Sequence, residues 1–230
     1  MSLKPLKKSD RNKKWMQKRK DTPKLMQPER HFIITEGIAT EPAYFSAMKK
    51  IIDKKYKGKI YLEVYGEGNN TLNLFQKARQ EVQKNMNRYR HVWIVYDVDD
   101  FPKEQVDKVV QLCNQNSTEE TTYHPIWSNQ CFEVWYILHF EFLQAQIDRT
   151  QYVAKLTGFL KLQHQGEYTK TRRDMYYILA PYMSMAIHNA KKLEKQHTHK
   201  SPFESNPGTK VYEIVEKLKP YLGIAFGENE

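Results

Sequence analysis

Four short runs rich in β-branched and aromatic residues recur along the chain: HFIIT (31–35), KIYLEVY (59–65), HVWIVY (91–96) and the weaker TTYHPIW (121–127). Between and after them lie the helix-period segments EPAYFSAMKKIIDKKY (41–56), TLNLFQKARQEVQKNM (71–86), PKEQVDKVVQLCNQN (102–116) and the amphipathic CFEVWYILHFEF (131–142). In the first of these, Phe45, Met48, Ile51 and Ile52 share one helical face behind a proline in the first turn. The order βαβαβαβα over 31–142 requires crossover connections. It predicts an α/β fold with a mainly parallel sheet and helices on both faces. Such sheets hold ligands beyond the carboxyl ends of their strands, which restricts where a site can lie.

From residue 149 onward the periodicity is helical, in TQYVAKLTGFLKL, RDMYYILAPYMSMAIHNAKKLEKQH (broken at Pro181) and GTKVYEIVEKLKP; HTHKSPFESNPG (197–208) reads as a loop. The chain therefore divides into a basic N-terminal tail (1–30), an α/β core (31–145) and a helical C-terminal extension (146–230). The tail carries eleven Lys/Arg against three acids, a net +8 of the chain's formal +10. It reads as disordered or extended, either an arm that neutralises phosphates or anionic surfaces or a solvated leader; composition leaves both open. No apolar stretch of a signal peptide follows it, and no span of about 20 apolar residues exists. The two cysteines, Cys113 and Cys131, make neither a disulfide framework nor a zinc set, and a cytoplasmic protein with reduced thiols and no membrane association is expected. His197 and His199 lack thiolate neighbours or helical i, i+4 spacing and read as solvent-exposed rather than metal ligands.

HVWIVYDVDD (91–100) runs from an apolar strand into three carboxylates within four positions. Like charges this close repel unless a cation sits among them. Asp97 and Asp99, two apart on extended backbone, point to one face. Asp100 points away, near the next helix start, where it favours the helix dipole. Glu36, directly after HFIIT, belongs at the end of another strand of the same sheet. Glu36, Asp97 and Asp99 can thus hold Mg²⁺ for phosphoryl chemistry; a turn-capping Asp cluster with an unrelated loop glutamate is the plainer alternative. Glu133 lies on a strongly apolar helix and must either pair with a base or face the site as a further acid. Glu41 serves a helix start or lies behind the metal. Lys170, Arg172 and Arg173 in YTKTRRD, and Lys210, are candidate grips for phosphate. No phosphate-cradling GxxxxGK[ST] occurs, GEGNNT lacks a dinucleotide fingerprint's third glycine, and no GxSxG is present. A phosphohydrolase DxDx[TV] motif fails at Phe101.

ITEGIATEPAYF (34–45), VYDVDDF (95–101), SNQCFEVWYILHF (128–140) and NPGTKVYEIVEKL (206–218) together resemble the RloB-like family, itself similar to the Toprim group of metal-dependent nucleic-acid enzymes. The resemblance covers roughly residues 31–218. It implies a Toprim-like sheet and carries Glu36 onto the first acid and Asp97 and Asp99 onto the DxD, together binding Mg²⁺ (or Mn²⁺). The family's Asn-Pro-Cys-Phe-Glu stretch matches Asn129, Cys131, Phe132 and Glu133, with Gln130 in place of proline; its Asn-Pro-Ser-Thr pattern appears here with Gly208. The activity implied is a Mg²⁺-dependent endonuclease of phage defence acting on DNA or RNA, tRNA included, with Glu133 or Glu41 helping to orient water and Asn129 nearby. The partners implied are nucleic acid and a restraining ATPase from a neighbouring gene; a homo-oligomer is compatible. The competing expectation is a non-catalytic nucleic-acid or partner-binding subunit.

Overall fold

A computed structural model describes residues 28–68, 71–85, 89–98 and 102–223. The tail expected over 1–30 therefore lies almost wholly outside the described residues, as do Asp99 and Asp100. Four strands, β1 (Glu29–Thr35), β2 (Ile60–Gly66), β3 (His91–Asp97) and β4 (Thr122–Asn129), are joined through α1 (Thr40–Lys55), α2 (Thr71–Lys84) and α3 (Lys103–Asn116). The chain continues through α4 (Glu133–Ile137), α5 (Arg149–Leu162), α6 (Met175–Leu179), α7 (Met183–Gln196), a two-residue strand β5 (Gly208–Thr209) and α8 (Val211–Leu222). The sheet order is β2-β1-β3-β4-β5, the first four strands parallel and β5 antiparallel to β4. The predicted α/β sheet with helices on both faces is what the chain forms.

Alternation along the strands explains why they read as unbroken apolar runs. Phe32, Ile34, Val92, Ile94 and Tyr96 pack on one face with Leu74 and Phe75 of α2 and Val106 and Val109 of α3. Ile33, Trp93, Val95 and Ile126 pack on the other, with Tyr44, Phe45 and Met48 of α1 and the helices from α4 onward. Strands buried on both faces need hydrophobes at every position. Because α1 carries the chain from β1 outward to β2, and α3 carries it from β3 to β4 on the other side, the carboxyl ends of β1 and β3 form a crevice where connections diverge. That is the switch point of an open parallel sheet.

Two expectations about local structure need correcting. The helix anticipated over 131–142 is only five residues long, and Glu133 through Ile137 are buried all round. A segment apolar on every side is a core element rather than an amphipathic one. Its carboxyl end is capped from outside, Asn189 Nδ2 donating to the Leu138 carbonyl at 2.9 Å. The 208–220 segment is not helical from its start: Gly208 and Thr209 pair with Asn129 and Ser128. A Cβ on Gly208 would lie 2.6 Å from the Ser205 carbonyl oxygen, so only glycine lets this strand close against its own loop. α8 also runs through Pro220 to Leu222, ending at Gly223 with φ 62°.

His139, following α4, is fully buried, bonds the Trp135 carbonyl through Nδ1 at 2.9 Å, and has no partner for Nε2. Burial pushes its pKa down to about 3. A base with a depressed folded pKa contributes fully above its unfolded value of about 6.5 and loses that contribution as pH falls toward 3. Chemical denaturation of wild type and His139→Leu between pH 7 and 4 is expected to show a loss for wild type approaching about 1.4 kcal/mol per pH unit from this group. The variant should lack that component.

Candidate metal centre

The last residue of β1, Thr35, is followed by Glu36, whose amide still donates to Val95 of β3 at 2.9 Å. Thr35 Oγ1 then donates to the Gly37 carbonyl at 2.8 Å and turns the chain away from the sheet. Glu36 is thereby held over the end of β3, where its Oε2 accepts from the Asp97 amide at 3.4 Å. Glu41, in the first turn of α1, is buried against Gly37 so closely that a Cβ there would lie 2.2 Å from Glu41 Oε2. Glu133, the first residue of α4, is likewise buried. It accepts from the Tyr168 hydroxyl at 2.9 Å, with Lys170 Nζ 3.9 Å away. The Lys170 segment is tied to α1 by Thr40 Oγ1, which donates to the Lys170 carbonyl at 3.0 Å.

Glu133 is paired with Lys170, and its charge bears on the neighbouring acids. Asp97 is held well above the usual carboxylate range, first by burial and then by the charges of Glu41, Glu133 and Glu36, against which Arg149 pulls it down. Glu41 is raised chiefly by burial, with Glu133 adding to the shift, while the backbone N–H groups of Glu41 and Gly37 and the Lys170 charge oppose it. Burial pushes the Cys131 thiol up, and Glu133 and Asp97 push it further, so it is no nucleophile. Four carboxylates thus share one end of the sheet with two cations. Oxygen donors of this kind could hold a hard divalent cation such as Mg²⁺.

The remaining candidates fall at varied distances from this cluster. Lys170 is at its rim, its side chain half exposed. Arg172 grips Asp174 through two nitrogens and donates to the Gln165 and Glu167 carbonyls, locking its own loop. Arg173 lines a groove beside α1. Lys210 pairs with Glu194 and, at 3.0 Å, with Glu213. Asn129 is buried and donates to the Pro202 and Phe203 carbonyls at 2.9 Å, holding the 201–207 loop against β4. Arg149 and Tyr168 were not singled out from sequence. Both reach the acids from the helical half of the chain, a placement no local pattern announces.

At the opposite rim of the sheet, Glu29, His31 and His91 bring ligand-type atoms within 4.8 Å of one another, and no other set of three does so among the described residues. Hydrogen bonding there accounts for the protons. Trp93 Nε1, a donor only, gives to His31 Nδ1 at 3.2 Å, which leaves the proton of neutral His31 on Nε2. His91 Nε2 and Lys217 Nζ both donate to Glu29 Oε1 at 2.9 Å, and His124 Nε2 completes the chain to His91 Nδ1. His31 therefore offers the centre a proton rather than a lone pair, and the group reads as a donor network around Glu29.

Among the described residues no helix is long and apolar enough to cross a membrane. A family model described as RloB-like protein matches residues 31–218. No curated protein and no solved structure matches.

Proposed function

The chain belongs to the RloB-like family, and from that premise we propose that it is a Toprim-like, divalent-metal-dependent endonuclease that cuts DNA or RNA, tRNA included, as an effector of phage defence. One observation carries the reading: Glu36 and Asp97 meet at the switch point of the sheet, an oxygen of one 3.4 Å from the amide of the other. Mg²⁺ or Mn²⁺ fits the donor set, since the repulsion among these acids is what a divalent charge relieves. Glu36 and Asp97 would hold it, with Asp99 as a third ligand from the sequence. Bound there, the ion supplies charge for the phosphoryl oxygens and lowers the pKa of a nearby water. Lys170, its backbone tied by Thr40, would take a backbone phosphate. Glu133, oriented by Tyr168, can accept a proton from the attacking water. Purified protein with Mg²⁺ or Mn²⁺ is expected to cut a mixture of DNA and RNA substrates and to stop on addition of a chelator. Intact substrates under both ions would remove the reading.

Gly37 tests the geometry without touching a ligand. Gly37→Ala should displace the Glu41 carboxylate and weaken Mn²⁺ binding, measured by calorimetric titration, by about 10- to 100-fold, as loss of a group supporting a metal's ligands does. An unaltered affinity would take Glu41 out of the site.

The alternative is a non-catalytic nucleic-acid or partner-binding subunit of an ATPase-containing complex. One observation favours it: among the described residues, the acids at the β1–β3 crevice do not converge within 4.8 Å as a set of three. It predicts nucleic acid bound but uncut, Asp97→Asn binding as wild type does, and co-purification with an ATPase encoded nearby.

A further inference from the structure

From the acidic cluster, α1 runs outward along a groove that the proposed chemistry leaves unused. The groove encloses about 330 Å³ between Ile38, Pro42 and Lys50 on one side and Thr171, Arg173 and Tyr177 on the other. Two large apolar groups stand in solvent there, Ile38 at 73% and Tyr177 at 51% exposure. The Tyr177 ring packs edge-on against buried Tyr176, 5.6 Å between centroids, which sets its orientation. Lys50 and Arg173 have no acidic partner among the described residues, whereas their neighbours Lys49 and Arg172 are paired with Asp53 and Asp174. The groove adjoins the acidic segments along the chain: Glu41 precedes its Pro42, and Lys170, whose carbonyl accepts from Thr40, precedes its Thr171. The helix between Ala39 and Lys50 covers about 16 Å.

An exposed ring beside two cations without acidic partners among the described residues suits a nucleobase flanked by phosphates. A duplex offers no free base face, since each base is covered by its neighbours in the stack. We propose that this groove binds an unpaired strand of DNA or RNA, with a base on Tyr177 and phosphates on Arg173 and Lys50, and so delivers single-stranded rather than duplex substrate to the acids. The delivery step rests on the nuclease reading; the binding itself does not.

The test is fluorescence anisotropy of the full chain with labelled oligo(dT), oligo(U) and a duplex of equal length, Ca²⁺ replacing Mg²⁺. Because the basic residues near the N-terminus add charge attraction for either form, the readout is the ratio of single-strand to duplex affinity. Wild type is expected to favour the single strands. Tyr177→Ala should weaken them by about ten-fold or more without changing the salt slope, and Tyr177→Phe should behave as wild type. Arg173→Ala and Lys50→Ala should each lower the slope of log affinity against log salt by about 0.7. A Tyr177→Ala protein that keeps the wild-type ratio, or a wild type that prefers duplex or binds neither, overturns the groove. If wild type binds through Tyr177 yet cuts nothing with Mg²⁺ or Mn²⁺, the groove stands and the nuclease reading falls. If wild type cuts and Tyr177→Ala binds and cuts equally well, the reverse holds.

Discussion

Asp97→Asn is expected to lower metal-dependent cleavage by about 10³-fold or more while the protein stays folded. Asparagine keeps the size and shape of the side chain at the end of β3 and removes only the charge. Loss of a metal's hold on the phosphoryl oxygens, several kcal/mol and here taken as about 4, corresponds to about three decades in rate. The stability change should run the other way. Asp97 is held well above the ordinary carboxylate range by burial and by Glu41, Glu133 and Glu36, so its ionised form opposes folding. Without metal, the variant should therefore melt at or above the wild-type temperature. Glu36→Gln should lose activity similarly, and Glu204→Gln, an exposed acid paired with Lys103 on the surface, should lose none. Gel assays beside thermal melts read both quantities. Undiminished cleavage would discard the proposed site, and cleavage lost together with a fall in melting temperature would assign Asp97 a structural role.

The second large effect is on stability, with Mg²⁺ or Mn²⁺ as the variable. A ligand at about 100 times its Kd stabilises by about 2.7 kcal/mol. For a chain of this size that raises the melting temperature by about 5–10 °C. The shift should grow as pH rises. Asp97 and Glu41 have folded pKa values raised above their unfolded ones, so the metal-free protein gains stability from them as pH falls and loses it as they ionise. The metal binds only the ionised carboxylates, so as pH falls a growing part of its binding energy goes to displacing protons. Asp97→Asn should abolish most of the shift across the pH range. A melting temperature that ignores both ions, or rises equally in the variant, would show that the cation binds elsewhere.

Much of the sheet was legible because its physics is local. Runs such as HFIIT and HVWIVY are apolar at every position, as strands covered on both faces must be, and the helices between them repeat at their own period. The order of elements then placed Glu36 and Asp97 at strand ends on one rim of the sheet. CFEVWYILHF gives no polar face by which to tell where α4 stops; the Leu138 carbonyl at its end is met by Asn189, fifty-one residues away. β5 escaped notice because two residues paired with β4 leave no periodicity to find.

The sequence by itself determined the α/β class, the sheet's double burial and the appearance of acids at two strand ends, because each follows from side-chain period and chain direction. Tertiary structure alone decided that Glu41 and Glu133 join those acids and that Tyr168, Lys170 and Arg149 come from the helical half to meet them. It also bound Arg172 into its own loop and left Arg173 beside Tyr177 in an open groove. The reason is one of range. Period and polarity act over a few residues, whereas the field at a carboxylate is set by whichever charges the fold brings near it, however far apart they lie along the chain.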